Sequence, residues 1–171
     1  MQLRDLLTGG DRRSIAHASQ ALAFARDDSE AVAELACLTS DTDPLVAMRA
    51  CDVLEKLLHE DVTQVQPYKD VFIRQLQSPF WESRLQCVRA LPLFHWSAEE
   101  RPAVIQALRE RIDDEQKFVR CWALDGFALL VAADPGVRAE LDQRLAEFLG
   151  SGVPSMQARA RAIVKRLPLT D

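Results

Sequence analysis

Four arginines recur at nearly constant spacing, and their pattern is the first in the chain that suggests a chemistry. They are Arg49, Arg84, Arg120 and Arg159, separated by 35, 36 and 39 residues. A guanidinium group stays charged and offers five N–H donors in a planar fork that suits phosphates and carboxylates. Four such groups along one groove would bind an anionic partner. The competing interpretation is that each arginine stabilises its own part of the fold.

The other residues capable of chemistry form no catalytic or metal-binding pattern. His17, His59 and His95 lie far apart in the sequence, with no partner at ligand spacing. The four cysteines include no CxxC pair, and each lies in an apolar helical stretch where a buried thiol is expected. The cysteines are Cys37, Cys51, Cys87 and Cys121. We therefore predict no enzymatic activity, no catalytic residue, no metal site and no cofactor.

Charge and hydropathy restrict the class of partner. The 171 residues have a net charge of −5, which argues against a dedicated nucleic-acid binder. Residues 135–171 nevertheless contain six basic and four acidic residues, whereas residues 1–134 are acidic. No apolar run approaches the roughly 20 residues that span a bilayer, and the amino end does not resemble a signal peptide. We expect a cytoplasmic protein without a membrane partner.

Each of the four arginines lies in a segment with its own helix-start signal. Asp43-Pro44 is the clearest, because aspartate caps a helix and proline suits its first position. Repetition at this period indicates stacked helical repeats. The chain is expected to form ten helices in five antiparallel pairs. Their approximate ranges are 1–27, 29–60, 66–95, 97–133 and 135–168.

The repeated segments resemble HEAT repeats over essentially the whole chain. The resemblance rests on a proline five residues before the arginine, a polar capping residue before that proline, and apolar residues one and four positions after the arginine. The prolines are Pro44, Pro79 and Pro154, and the capping residues are Asp43, Ser78 and Asp114. Glu115 and Val153 depart from the pattern, and in the first pair the arginine position falls on Arg13 or Ser14.

The HEAT resemblance implies an all-α, right-handed α-solenoid that forms a single domain over residues 1–171. It also implies a structural ladder in which each arginine pairs with a helix-start acid such as Asp43 or Asp114. Second helices line the concave side in such stacks, and that side is the usual partner-binding surface. The resemblance specifies a fold, and repeats of this kind serve many unrelated partners.

One face of the second helices changes from repeat to repeat, as expected of an outward-facing surface. It comprises positions two before, two after and six after the arginine, which share one helix face. The candidate partner-binding residues are members of this face and the neighbouring Trp81. They are Trp81, Glu82, Phe118, Trp122, Gln157, Arg161 and Lys165. The alternative for Phe118 and Trp122 is that they pack in the core between repeats.

The favoured function is a non-enzymatic scaffold that binds a partner protein or peptide in the concave groove. The alternative is a HEAT-like DNA glycosylase of the alkylation-repair type, for which Trp81, Trp122 and Asp125 would supply the tryptophans and the carboxylate. An accessory role in tetrapyrrole attachment and a purely structural repeat are two further possibilities. We expect a monomer, or a weak homodimer through the amino-terminal leucines Leu3, Leu6 and Leu7.

Overall fold

The computed structural model describes residues 2–11, 14–132 and 134–167. Every regular element within these ranges is helical, and none of these helices is long and apolar enough to cross a membrane. The chain divides into two compact units, Met1–His95 and Trp96–Asp171. This boundary falls between the third and fourth predicted helix pairs. The expected single domain over residues 1–171 stays a prediction.

The first unit contains the first three helix pairs. Its α-helices are α1 (Leu3–Leu7), α2 (Ala18–Ala25), α3 (Ser29–Leu38), α4 (Pro44–Glu60), α5 (Val62–Val65), α6 (Lys69–Gln75) and α7 (Trp81–Ala90). A 3-10 turn over Gln66–Tyr68 joins α5 to α6. A second 3-10 turn contains Pro92 and ends the α7 segment, as expected of a proline that removes a backbone donor.

Helix α4 begins at the predicted residue, whereas α7 begins later than predicted. Asp43 caps α4 by accepting the Leu45 N–H at 2.9 Å, and Pro44 occupies the first turn. By contrast, α7 starts at Trp81, because Ser78 Oγ accepts the Phe80 N–H at 3.2 Å and forms a turn instead. The capping signal at residue 78 therefore lies in the loop that precedes the helix.

Residues 14–17, which directly precede α2, are not helical, although they lie within the first predicted helix pair, 1–27. Ile15 is 57% exposed, and Ala16 has a positive φ of 49°. The carbonyl groups of Asp11 and Ser14 accept hydrogen bonds from the Arg49 side chain. A carbonyl turned toward Arg49 is not aligned with a helix axis, so α2 begins only at Ala18. Arg13, one candidate for the first repeat arginine, lies outside the described residues.

The amino-terminal leucines are buried inside the first unit. Leu3, Leu6 and Leu7 are at most 5% exposed. They therefore supply no exposed apolar surface for the homodimer contact expected from the sequence. The oligomeric state itself stays a prediction.

An ion pair between Arg4 and Asp41 links α1 to the loop after α3. The guanidinium donates two hydrogen bonds to the carboxylate, at 2.8 and 3.0 Å. These hydrogen bonds lower the pKa of Asp41 below its ordinary value of 3.8. Because the folded pKa is lowered, the stabilisation is present above the ordinary value and is lost as the pH falls through the lowered one.

We expect Asp41→Asn to reduce stability at neutral pH and to match the parent chain more closely in acid. Asparagine keeps the side-chain shape but has no charge to lose. Urea denaturation of both proteins between neutral pH and the acid range tests this. The difference in midpoint should shrink as the pH falls below about 4. A difference that does not change with pH would contradict the assignment.

The second unit contains the last two helix pairs. They are α8 (Arg101–Ile112) with α9 (Lys117–Val131), and α10 (Pro135–Leu149) with α11 (Pro154–Arg166). Asp134 caps α10 through the Gly136 N–H at 2.9 Å. α9 packs against α8, α10 and α11, and it has the largest buried face in this unit. Its buried residues include Val119, Leu124 and Phe127.

Candidate functional site

An open groove lies between α9 and α11 in the second unit. Its volume is about 480 Å³, which is within the range of roughly 300–1,000 Å³ usual for ligand sites. α9 supplies Phe118, Cys121 and Trp122, and α11 supplies Ser155, Ala158, Arg159 and Ala162. The two aromatic side chains form one wall, and small residues form most of the other. The groove thus exists because α11 presents small side chains opposite two large ones.

The buried sides of both helices explain why these residues remain accessible. α11 buries Met156, Ala160 and Ile163, which recur at helical spacing and direct the opposite face outward. On α9, Phe118 is 44% exposed and Trp122 is half-buried. Both residues therefore line the groove, with Phe118 exposed and Trp122 partly buried between α9 and α11.

Arg159 provides the charge within the groove. Its guanidinium carbon lies 3.8 Å from the centroid of the Trp122 ring, in a stacked cation–π contact. Its Nη1 atom lies 3.6 Å from Asp125 Oδ1. Asp125 also contacts Arg166, with Nη1 at 3.3 Å from Oδ1. One nearly buried carboxylate is thus shared by two arginines.

The Cys121 thiol lies in the wall of the groove and is 4% exposed. Burial raises the pKa of this thiol, while the nearby charge of Arg159 acts in the opposite direction. A raised pKa keeps the group a neutral thiol at neutral pH, and the neutral form is a poor nucleophile. Cys121 therefore contributes shape and apolar surface rather than reactivity.

The residues that were predicted to form one partner-binding face are divided between the two units. Trp81 and Glu82 are half-buried at the start of α7, in the first unit. Gln157 donates a hydrogen bond to the Leu149 carbonyl at 3.0 Å. Arg161 and Lys165 are exposed on α11. Among the residues that the structure describes, only Phe118 and Trp122 of the predicted set line the groove.

The groove and the predicted partner-binding face use different sides of α11. The groove uses the face of Ser155, Ala158, Arg159 and Ala162, whereas the prediction used the face of residues 157, 161 and 165. The two faces are about 100° apart, one residue step on a helix. Arg159, assigned from the sequence to the structural ladder, is consequently the cation of the groove. A run of small residues at spacing 155, 158 and 162 was the overlooked signal.

The hydrogen bonds of Arg49 fit neither an anion-binding site nor the predicted ion pair with Asp43. The side chain is 1% exposed and donates five hydrogen bonds of 2.6–3.1 Å to backbone carbonyls. The acceptors are the carbonyl groups of Leu7, Gly9, Asp11 and Ser14. Every guanidinium donor is used, and Asp43 caps α4 instead.

Arg84 and Arg120 also bind backbone carbonyls that precede their own helices, in the loop before α7 and at the last residue of α8. Arg84 donates to the Ser78 carbonyl at 2.9 Å, and Arg120 donates to the Ile112 carbonyl at 3.0 Å. Asp114, predicted as an acid partner, accepts the Gln116 N–H at 2.9 Å and forms an ion pair with Arg111 at 3.4 Å. At Arg49 and Arg120, carbonyl groups thus replace the acids that the HEAT resemblance implied.

In the described ranges, no three His, Cys, Asp or Glu side chains lie together in a way that could hold a metal ion. His59 Nε2 lies 2.9 Å from Glu55 Oε1, and Glu55 also forms an ion pair with Arg89. Asp125 is 5% exposed and ion-paired, a geometry that does not favour the catalytic carboxylate of the glycosylase alternative.

Three of the cysteines are buried and one departs from the prediction. Cys51, Cys87 and Cys121 are buried, whereas Cys37 is exposed on α3. The buried face of α3 consists of Ala31, Val32, Leu35 and Ala36, and position 37 lies beside it. Burial raises the pKa of the Cys87 thiol well above its ordinary value. These thiols are structural side chains of the core.

Solved structures of designed armadillo repeat proteins resemble this chain. One is a crystal structure of computationally designed armadillo repeat proteins for modular peptide recognition, with 16% identity and a TM-score of 0.63. A second designed armadillo repeat protein has 16% identity and a TM-score of 0.56. Both alignments cover 97% of this chain and 81% of the other chain. No protein-family model and no curated protein matches the sequence.

At this level of identity, the likeness shows the fold alone. The chain is an all-α solenoid with an armadillo-like helical-repeat fold, which confirms the fold class predicted from the repeated helix-start signals.

Proposed function

We propose that this protein is a non-enzymatic scaffold that binds a segment of a partner protein in the groove between α9 and α11. The observation that supports this most is the aromatic wall of exposed Phe118 and half-buried Trp122 opposite small residues. A structural neighbour was designed for modular peptide recognition, and we extend that use to this chain as part of the proposal. The finer assignment to HEAT repeats, from the proline and arginine positions, is proposed in the same sense.

The composition of the groove suits a peptide. Tryptophan and arginine are the residue types that most often dominate binding energy at protein interfaces. Trp122 and Arg159 are stacked on each other, so both are held in place before a partner arrives. Pre-ordered side chains lose less conformational entropy on binding. The small side chains of Ala158 and Ala162 leave room for an apolar side chain of the partner.

The test is selection of peptides from a random displayed library on the full chain, followed by affinity measurement with labelled peptides. We expect Trp122→Ala to weaken the selected peptides by at least about tenfold, because it removes the largest contact surface. Phe24→Ala is the matched control, since Phe24 is an exposed aromatic of α2, 53% exposed, and lies in the first unit. It should leave the affinity unchanged.

A second variant separates loss of binding from loss of folding. Phe118→Ser changes a more exposed residue of the same wall, and far-ultraviolet circular dichroism should show that both variants keep their helical content. The proposal would be wrong if selected peptides bound the Trp122→Ala and Phe118→Ser proteins as tightly as the parent chain.

A further inference from the structure

Resting on the proposed function, we infer that the groove between α9 and α11 takes an acidic peptide segment. The segment would place an apolar side chain against Trp122 and the neighbouring alanines, and a carboxylate side chain against the guanidinium of Arg159. The ligand class is therefore a protein segment in which Asp or Glu alternates with large apolar residues. Three features of the second unit support this assignment.

The first feature is the charge of the two helices that form the groove. α9 and α11 together contain six basic residues and one acidic residue, although the whole chain has a net charge of −5. The basic residues are Lys117, Arg120, Arg159, Arg161, Lys165 and Arg166. α11 contains no acidic residue. A positive surface on an acidic protein attracts an anionic partner and disfavours a basic one.

The second feature is the incomplete pairing of Arg159. Among the described residues, its one ion pair is with Asp125, at 3.6 Å, which is longer than the roughly 2.7–2.9 Å of a charge-assisted hydrogen bond. Asp125 is shared with Arg166, so the pair of arginines keeps an excess positive charge. Arg49 shows the contrast, because all its donors are used by the protein itself. The Arg159 guanidinium therefore retains N–H groups that can donate hydrogen bonds to a ligand carboxylate.

The third feature favours a peptide over a nucleic acid. One face of the Trp122 ring is covered by the Arg159 guanidinium at 3.8 Å, and Lys117 Nζ lies 5.2 Å from the centroid of the Phe118 ring. Single-stranded nucleic acids gain much of their affinity by stacking bases on exposed aromatic faces. Both aromatic residues of this groove already contact a cation. A carboxylate can bind the outer edge of Arg159 without displacing that contact.

The experiment compares three labelled synthetic peptides that differ at one residue type. The first alternates glutamate with leucine and phenylalanine, the second has glutamine for glutamate, and the third has lysine for glutamate. Oligothymidylate serves as the nucleic-acid probe. We expect the glutamate peptide to bind the full chain at least about tenfold more tightly than the glutamine peptide. The lysine peptide and the oligonucleotide should bind more weakly still.

Arg159→Gln tests the assigned residue, and Arg161→Gln is its charge-matched control. Both remove one positive charge from α11, but Arg161 is exposed and does not line the groove. Arg159→Gln should remove most of the preference for glutamate over glutamine. Arg161→Gln should change it by no more than about threefold, as expected of long-range attraction alone.

The outcomes separate this inference from the function on which it rests. Equal or tighter binding of the glutamine peptide, the lysine peptide or the oligonucleotide would overturn the inference. So would equal effects of Arg159→Gln and Arg161→Gln. If library peptides of another composition still depend on Trp122, the proposed scaffold function survives that result. If no peptide depends on Trp122, both fail.

Discussion

Replacing Arg49 by methionine is expected to lower the free energy of unfolding by about 3–5 kcal/mol. The substitution keeps most of the side-chain length but removes all five hydrogen bonds to the carbonyl groups of Leu7, Gly9, Asp11 and Ser14. Acceptors left without donors in a buried site lose the full hydrogen-bond energy. Domains are stable by only about 5–15 kcal/mol, so this change removes a large fraction of the total.

Arg120→Met is the matched control for this prediction. Arg120 occupies the equivalent repeat position but donates one hydrogen bond, to the Ile112 carbonyl, and its guanidinium lies 5.5 Å from the centroid of the Phe148 ring. We expect a loss of about 1–2 kcal/mol. Urea denaturation followed by circular dichroism measures both. Equal losses for the two variants would show that the repeat position, and not the hydrogen-bond set, determines the effect.

The features that sequence reasoning could predict are those governed by local signals. Asp43 and Pro44 specify a helix start through one side-chain hydrogen bond and one fixed dihedral angle, and α4 begins there. The periodic apolar positions specify which faces are buried. Helix pairs repeated at a period of 35–39 residues then leave few architectures available, which is why the fold class was predictable.

The partners of the arginines depend on contacts between distant segments, which a local pattern does not specify. Arg49 lies 35 residues from Ser14 and 42 from Leu7, and the loop between α1 and α2 adapts its carbonyl groups to the guanidinium. The HEAT resemblance implied an acid at a helix start as the partner of each arginine. The backbone of an irregular loop offers the same acceptor chemistry without any residue-type signal.

The candidate groove and the predicted site share residues on α9 but use different faces of α11. The sequence identified Phe118 and Trp122, whose size and variation between repeats are visible without a structure. On α11 it predicted the face of Arg161 and Lys165, and which face of this helix binds a partner stays a prediction. The groove instead requires small side chains such as Ala158, and alanine is most often a buried residue, so its presence does not indicate an accessible surface. Shape complementarity between two helices determines this face.

The second large expected effect concerns Gly10, in the loop that binds Arg49. Gly10→Ala should lower the free energy of unfolding by about 2–4 kcal/mol. Gly10 has a φ of +71°, a region that residues with a Cβ adopt at a cost. A Cβ there would lie 2.9 Å from both Cβ and Oγ of Ser14. Ser14 cannot simply rotate away, because its Oγ accepts the Ala16 N–H at 3.1 Å. The backbone of the loop has to move instead.

Gly9→Ala is the control that separates backbone strain from steric overlap. Gly9 has a φ of +81°, but a Cβ there would meet no atom within 4 Å. Its substitution should therefore cost only the conformational penalty, about 1–2 kcal/mol.

Because the Ser14 carbonyl also accepts a hydrogen bond from Arg49, the Gly10→Ala and Arg49→Met changes disrupt one structure. The double variant should lose less stability than the sum of the two single losses, by about 1–2 kcal/mol. Strict additivity would show that the turn at Gly10 and the hydrogen bonds of Arg49 stabilise the first unit independently.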